Sequence, residues 1–324
     1  MNILLQQNDN HQADALLPMI SIVMATYNGS LYLKAQIESV VAQSYPNIEI
    51  IVVDDCSTDA TIQILESFQV IYPDIKIIRN KHNLGYVKNF EKGCGLANGE
   101  YVALCDQDDY WHCDKIKNMQ GAIGNYPMIY CDSVLCDEEL MSMAVNISDR
   151  VNSIDFNNCL QQAVFCRIYG HATLIKKSFL QHALPFLAVI PHDWWLCYMA
   201  TFYGGIKYLP KQLVSYRQHE ANIFGVVGSK SRKQKKIKKA ERNRLEINSI
   251  RTRVNAFYEA CPDGLVKEKE VLRMLVKTYQ NFSLVNNFQR MILFFKFQHY
   301  FLASKKRSAI RRYLFCLKMF FILK

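Results

Sequence analysis

Carboxylates gather at three points in this chain, each beside a segment that reads as a strand or a helix start. Asp54-Asp55 ends the β-branched run 50–53, Asp106-Gln107-Asp108-Asp109 follows the apolar run 101–105, and His192-Asp193 immediately precedes Trp194-Trp195. Open α/β sheets bind ligands in the crevice at the carboxyl ends of their strands. Three carboxylates within four residues repel one another, and a divalent cation relieves that repulsion. Hard oxygen donors suit Mg²⁺ or Mn²⁺ bridging two phosphates rather than zinc. The bland alternative is an acidic turn solvated at a strand end.

The elements that would position these groups follow from the hydrophobic pattern. Strands are expected at 20–25, 48–53, 75–78 and 101–105. Helices are expected at 31–43, with Leu31, Ala35, Val40 and Val41 near one face, at 58–70, capped by Ser57 or Thr58, and at 86–97. Ile- and Val-rich strands alternating with helices indicate βαβ units and a buried, mostly parallel sheet. Beyond Trp111 the rhythm loosens, with strands at 128–131, 173–175 and 206–209 and a helix at 194–203. Gly93-Cys94-Gly95 with Gly99 has the wrong spacing for a dinucleotide fingerprint and falls at a helix end.

Composition sets the outer bounds. The chain has 324 residues, 50% of them hydrophobic and 21% charged, too apolar for a disordered chain. Eleven cysteines without a Cys-x-x-Cys pair, behind a polar start with no signal peptide, suggest free thiols in a reducing cytoplasm. Cys131 and Cys136 are expected as buried thiols. The charge is uneven: residues 1–228 hold 15 Lys and Arg against 23 Asp and Glu, whereas residues 229–324 hold 24 against 6. Within 230–244 alone there are nine basic residues and one acid. No apolar run is long enough for a membrane-spanning helix. The division expected is a loose extension at 1–18, a catalytic α/β domain at 19–228, and a helical, basic, aromatic-rich tail at 229–324. Such a tail would meet a polyanion or an anionic membrane surface.

Four motifs taken together carry a resemblance: Ser21-Ile22-Val23-Met24-Ala25-Thr26-Tyr27-Asn28-Gly29, Val52-Val53-Asp54-Asp55-Cys56-Ser57-Thr58-Asp59, Asn83-Leu84-Gly85 and Asp106-Gln107-Asp108-Asp109. Their types and spacing resemble family 2 glycosyltransferases of GT-A fold over about residues 18–225. His192-Asp193-Trp194-Trp195 and Tyr216-Arg217-Gln218-His219-Glu220-Ala221-Asn222 resemble the bacterial rhamnosyltransferase-like branch. The resemblance implies inverting, metal-dependent transfer of a sugar from a dTDP- or UDP-linked donor to a glycan or lipid-linked glycan. A nucleic acid partner is not expected. The competing reading, from another class, is a polyanion-binding protein acting through its tail; the tail carries no recognised nucleic-acid motif.

The resemblance also distributes roles. Thr26 and Tyr27, at the end of the first strand, would contact base and ribose, with Asn28 and Asp54 among the nucleotide-sugar contacts. Asp55 would accept the imide N–H of uracil or thymine, and Asn83 and Gly85 would bring an amide and a close backbone approach to the nucleotide. Asp106 would lie nearer the ribose and Asp108 would ligate the metal, joined by His219, while Arg217 would pair with phosphate oxygens. Lys81 is read as solvated. Asp193 would be the base that takes the acceptor hydroxyl's proton; the alternative is that it only N-caps a helix starting at Trp194. Trp194 is a candidate stacking surface for acceptor sugar, Trp195 a core residue. His171 receives no role.

Overall fold

Four short apolar runs build one half of the sheet. Ile20–Thr26 (β1), Ile48–Asp54 (β2), Ile75–Arg79 (β3) and Tyr101–Cys105 (β4) lie parallel in the order β3-β2-β1-β4. The computed structural model describes residues 17–219 and 239–321. The expected extension up to residue 16, the motif residues Glu220 to Asn222 and the basic run up to residue 238 lie outside the described residues.

Alternation along these strands sends side chains to two separate cores. Val23, Ile51, Val53, Val102 and Leu104 face one apolar cluster, and Ile22, Met24, Ile50, Val52 and Ala103 face the other. The second is covered by helices Leu33–Val41 (α1) and Thr61–Ile71 (α2), the first by Tyr86–Leu96 (α3). Helix α1 turns Leu33, Gln36, Ile37, Ser39 and Val40 inward and leaves Leu31 exposed, so the face expected from Leu31 and Ala35 is displaced. Helix α2 starts three residues later than expected, with Ala60 at its N-cap and no side-chain cap. Ser57 and Thr58 are instead drawn into the loop bonds described below.

Gly93 explains its own neighbourhood. A Cβ there would stand 2.4 Å from Val23 Cγ1 and 3.2 Å from Val53 Cγ2, so α3 lies against β1 and β2 closer than any side chain permits. That contact aims the N-terminus of α3 at the strand ends.

The second half of the sheet is mixed. Strands Tyr110–Trp111 (β5), Met128–Cys136 (β6), Ser142–Asn146 (β7), Thr173–Lys176 (β8) and Ile206–Arg217 (β9) extend it in the order β4-β8-β6-β9-β5, with β7 on β6. Strand β8 runs antiparallel to both β4 and β6, while β9 is parallel to β6. Strand β9 reaches Arg217, eight residues past its expected end, because the ladder steps over Pro210: Cys131 pairs with Leu209 and Asp132 with Gln212. The skipped residues form a bulge that absorbs the missing proline donor. Arg217 therefore stands on a strand rather than in the loop expected for it.

Between the strands lie Lys115–Ile123 (α4), Ile147–Arg150 (α5), Leu160–Ala163 (α6), Lys177–Ala183 (α7) and His192–Ala200 (α8). The described tail comprises Lys239–Ala260 (α9), Val266–Gln280 (α10), Leu284–Lys296 (α11), Gln298–Phe301 (α12) and Ala309–Lys318 (α13). It folds back on the sheet domain. Phe257, Phe294 and Phe301 are fully buried in the same cluster as Leu196 and Tyr198, and the Tyr198 hydroxyl donates to the Phe257 carbonyl at 2.6 Å. No described helix is long and apolar enough to cross a membrane. All eleven cysteines are free, with Cys131 and Cys136 buried.

Candidate active site

The ends of β1 and β2 are tied together by side chains. Asp54 is fully buried; its Oδ1 accepts from Thr26 Oγ1 at 3.0 Å and its Oδ2 from the Ser57 N–H at 2.9 Å. Asn28 takes a left-handed φ of 47°, which asparagine tolerates. Its N–H donates to Ser57 Oγ at 2.9 Å and its Oδ1 accepts from the Thr58 N–H at 2.8 Å. Thr26, Asn28 and Asp54 thus shape the loops, while Tyr27 stands 48% exposed at their rim. Gln107 clamps the Tyr27 backbone from the acidic run: its Oε1 accepts from the Tyr27 N–H at 2.9 Å and its Nε2 donates to the Tyr27 carbonyl at 3.1 Å. Sequence reasoning passed over Gln107; the signal is a carboxamide, one donor and one acceptor, between two aspartates.

Asp55 organises the next loop. Its Oδ1 accepts from Asn80 Nδ2 and the Leu84 N–H, and its Oδ2 from the Gly85 N–H, each at 2.8 Å. Asn83 Nδ2 donates to the Asp55 carbonyl at 3.3 Å, and Gly85, at φ 81°, makes the turn into α3. Three donors leave a carboxylate with lone-pair capacity for one more, which is what a base N–H would use. Lys81 is exposed, as expected.

The acidic run splits into two groups by its partners. Asp109 is fully buried beneath the surface, where its Oδ1 accepts from the Arg217 N–H at 3.1 Å and its Oδ2 lies 3.2 Å from His171 Nδ1. Asp106 Oδ2 lies 3.5 Å from the same nitrogen. Burial, with the charges of Asp108 and Asp106, pushes the Asp109 carboxyl up to about 8. His171 is pushed up although burial opposes its charge, because Asp109 and Asp106 both favour imidazolium. Against its own burial, Asp106 is held below the usual carboxylate range by its bond to His171 and by the His171 charge. Lys115, buried and lowered to about 8, donates to the His171 carbonyl at 2.6 Å. His171 is therefore a link between two aspartates, a role its lone position in the sequence did not suggest.

The second group is Asp108 with His219. Asp108 Oδ2 and His219 Nε2 stand 2.9 Å apart, the carboxylate partly open to solvent and the imidazole largely covered. Arg217 lies beneath them: Nε donates to the Asp108 carbonyl at 2.8 Å, Nη1 donates to the Glu138 carbonyl, and the guanidinium sits 4.5 Å over the Tyr32 ring. Arg217, expected to pair with phosphate oxygens, thus supports the Asp108 loop. Two donor sets could hold a cation. In Asp106, Asp109 and His171 the ligand atoms lie within 4.8 Å of one another, Asp109 and His171 buried and Asp106 partly exposed. Asp108 and His219 offer a carboxylate and an imidazole side by side, a second place where Mg²⁺ or Mn²⁺ carrying a diphosphate could be held.

Across from the acidic run stands α8. Its N-cap is Pro191, so Asp193 lies inside the first turn and the N-cap reading is corrected. Asp193 Oδ1 accepts from the Trp194 N–H at 2.7 Å. Burial and the Asp106 charge raise its carboxyl above the usual range. Gly170 admits this packing: a Cβ there would meet His192 Nε2 at 3.0 Å and Asp193 Cβ at 3.7 Å. Tyr86, at the start of α3, packs edge-on to His192 at 5.8 Å and is pushed up to about 12 by burial and by the charges of Asp193 and Asp106. Trp195 is core, donating to the Ala183 carbonyl at 2.8 Å. Trp194 is half-buried, donates to the Gln162 carbonyl at 2.6 Å and carries the Arg253 guanidinium 4.0 Å from its ring, so one face expected for sugar stacking is covered.

Comparison with known proteins agrees with this geometry. The sequence profile of Glycosyl transferase family 2 matches residues 21–182. The dTDP-rhamnosyl transferase RfbG of Shigella flexneri is 32% identical over 234 residues, spanning 66% of this chain and 78% of RfbG. The putative teichuronic acid biosynthesis glycosyltransferase TuaG of Bacillus subtilis is 38% identical over 100 residues, 31% of this chain and 40% of TuaG. Residues 1–349 of S. aureus TarS in complex with UDP superpose with a TM-score of 0.52 at 18% identity, covering 81% of this chain and 87% of that one. The mannosyltransferase PcManGT of Pyrobaculum calidifontis, in complex with GDP-Man and Mn²⁺, gives 0.55 at 15% identity over 99% and 88%. The last two speak for the GT-A fold, and the first two for descent: the chain belongs to family 2 of the glycosyltransferases, on its rhamnosyltransferase-like side.

Proposed function

We propose that this enzyme transfers a sugar, with rhamnose the first candidate, from a dTDP- or UDP-linked donor to a hydroxyl of a glycan or lipid-linked glycan, with inversion, in the synthesis of a cell-surface polysaccharide such as O-antigen, capsule or exopolysaccharide. The observation that carries the reading is Asp193: a carboxylate of raised proton affinity opposite an acidic strand end. It takes the proton from the acceptor oxygen as that oxygen bonds to the anomeric carbon and the bond to the diphosphate breaks. Asp55 and the 83–85 loop hold the base, and Tyr27 borders the ribose. Asp108 and His219 would hold the metal, which when bound offsets the charge growing on the leaving diphosphate. The polyanion-binding reading gives no role to the carboxylates gathered at the strand ends. A donor screen following nucleoside-diphosphate release, with Mn²⁺ and with Mg²⁺, tests the function. dTDP-rhamnose turnover is the expected outcome; no turnover of any dTDP- or UDP-sugar with either ion contradicts it.

The reading includes attachment to the inner face of the cytoplasmic membrane. Of the aromatic tail, Leu293 and Phe294 face the core, but Leu284, Phe288 and Ile292 line one exposed stripe of α11, and Ile310, Tyr313 and Leu314 are exposed on α13 beside Arg311 and Lys318. Basic residues contribute about 1 kcal/mol each near an anionic surface, and apolar side chains enter the headgroup boundary. The full chain is expected to sediment with phosphatidylglycerol vesicles at low salt, and a Leu284→Ser, Phe288→Ser, Ile292→Ser variant to sediment less. Wild-type protein left in the supernatant would rule the attachment out.

A further inference from the structure

Lys305 and Arg307, in the turn before α13, each stand over an aromatic ring, and Arg167, in the loop after α6, lies near enough for its charge to act on Lys305. Lys305 Nζ lies 4.1 Å over the Phe165 ring, the Arg307 guanidinium lies 4.5 Å over Phe315, and the two rings meet edge to face at 5.8 Å. The backbone fixes the arrangement, since Lys305 bridges Val151 and its N–H donates to the Leu302 carbonyl at 3.0 Å. Among the described residues no carboxylate pairs with any of the three cations. Burial and the charges of Arg167 and Arg307 all press on Lys305 in the same direction, lowering its ammonium to about 8. Like charges gathered over apolar rings without a counter-ion are held against their own repulsion, and an anion is what relieves it. The ten-residue helix α13 begins at the same turn and presents its positive end there.

The cluster is joined to the catalytic pocket by one short segment. Arg167 stands two residues before Tyr169 and its charge acts on the Tyr169 hydroxyl, the next residue is the Gly170 that packs against Asp193, and the next is His171, which links Asp106 and Asp109. Three residues span at most about 10 Å. On the other side, Arg307 leads into the exposed Ile310, Tyr313 and Leu314 of α13.

We propose that Arg167, Lys305 and Arg307 bind the phosphate or diphosphate ester of the acceptor, a lipid-linked glycan whose hydroxyl, on a sugar close to that ester, lies at Asp193. The inference rests on the transfer reading above. It gives the acceptor an anion at one end, a lipid directed along α13 and a reacting sugar between.

Phosphate ester chemistry is shared by the donor's diphosphate and by phospholipid headgroups, so the test separates these sources. Farnesyl diphosphate is titrated calorimetrically into the full chain, alone and with saturating dTDP or UDP plus Mn²⁺, beside farnesol and dihexanoyl phosphatidylglycerol. Farnesyl diphosphate should bind with or without nucleotide and should be the tightest of the three lipids. A Lys305→Gln, Arg307→Gln variant should bind it about tenfold more weakly or worse, and Lys305→Arg should restore most of the loss when made beside intact Arg307. Nucleotide affinity should be the same in all variants. Displacement of the probe by nucleotide, equal binding of the phosphatidylglycerol, or unaltered binding by the double glutamine variant would each overturn the assignment. Failure of the wild type to bind either nucleotide would count against the donor reading, while the farnesyl diphosphate titration decides this one separately.

Discussion

Asp193→Asn lowers turnover by about 10²- to 10⁴-fold and leaves nucleotide-sugar affinity close to wild type. The substitution keeps the size of the side chain and an oxygen for the Trp194 N–H, so helix α8 keeps its first turn. What is lost is the acceptor for the incoming hydroxyl's proton. The pH profile carries an independent mark. A base works only when ionised, and burial with the nearby Asp106 charge raises the Asp193 carboxyl above the ordinary 3.8. Wild-type kcat/KM therefore falls as pH drops through that raised value, earlier than an exposed aspartate would dictate. The asparagine variant has no such acid limb. A variant with near-normal turnover and an unchanged acid limb would reduce Asp193 to a structural role.

Asp108→Ala removes transfer supported by Mn²⁺ or Mg²⁺, by about 10³-fold or more, because several kcal/mol of charge stabilisation at the leaving diphosphate go with the ligand. The fold should survive. Asp108 is partly exposed and its carboxylate bonds His219, whereas Arg217 anchors on the Asp108 backbone carbonyl, which alanine retains. Thermal denaturation of the variant checks the fold, and nucleoside-diphosphate release with and without chelator checks the chemistry. Full activity of the variant in chelator would remove the metal from the account.

How far these positions were legible in sequence depends on what kind of information each needed. Strands β1 to β4 and the acidic groups at their ends follow from local pattern, since a doubly covered strand must be continuously apolar and its polar stop is conspicuous. The neighbours of those groups do not. Thr26, Asn28 and Asp54 occur in one motif series with Asp55, but their bonds run between loops and fix loop shape, a distinction only the pairing of β1 with β2 reveals. Arg217 was expected beyond a strand ending at 209; the bulge that carries β9 past Pro210 puts it on that strand, with its Nε on the Asp108 carbonyl. His171 is more than 60 residues from Asp106 in sequence, and antiparallel β8, which no helix–strand alternation foretells, brings the two together. The tail's aromatic residues looked alike in composition, yet helical facing divides them between Phe294 in the core and Phe288 at the surface.

The central claim is that Asp108 and His219, rather than Asp106, Asp109 and His171, serve the donor diphosphate opposite Asp193. Anomalous diffraction from crystals grown with Mn²⁺ and dTDP or UDP tests it directly. The account predicts one manganese peak within coordination distance of the Asp108 carboxylate and His219 Nε2, bridging to the nucleotide diphosphate. A peak held by Asp106, Asp109 and His171, or nucleotide bound in full occupancy with no manganese beside Asp108, would contradict it.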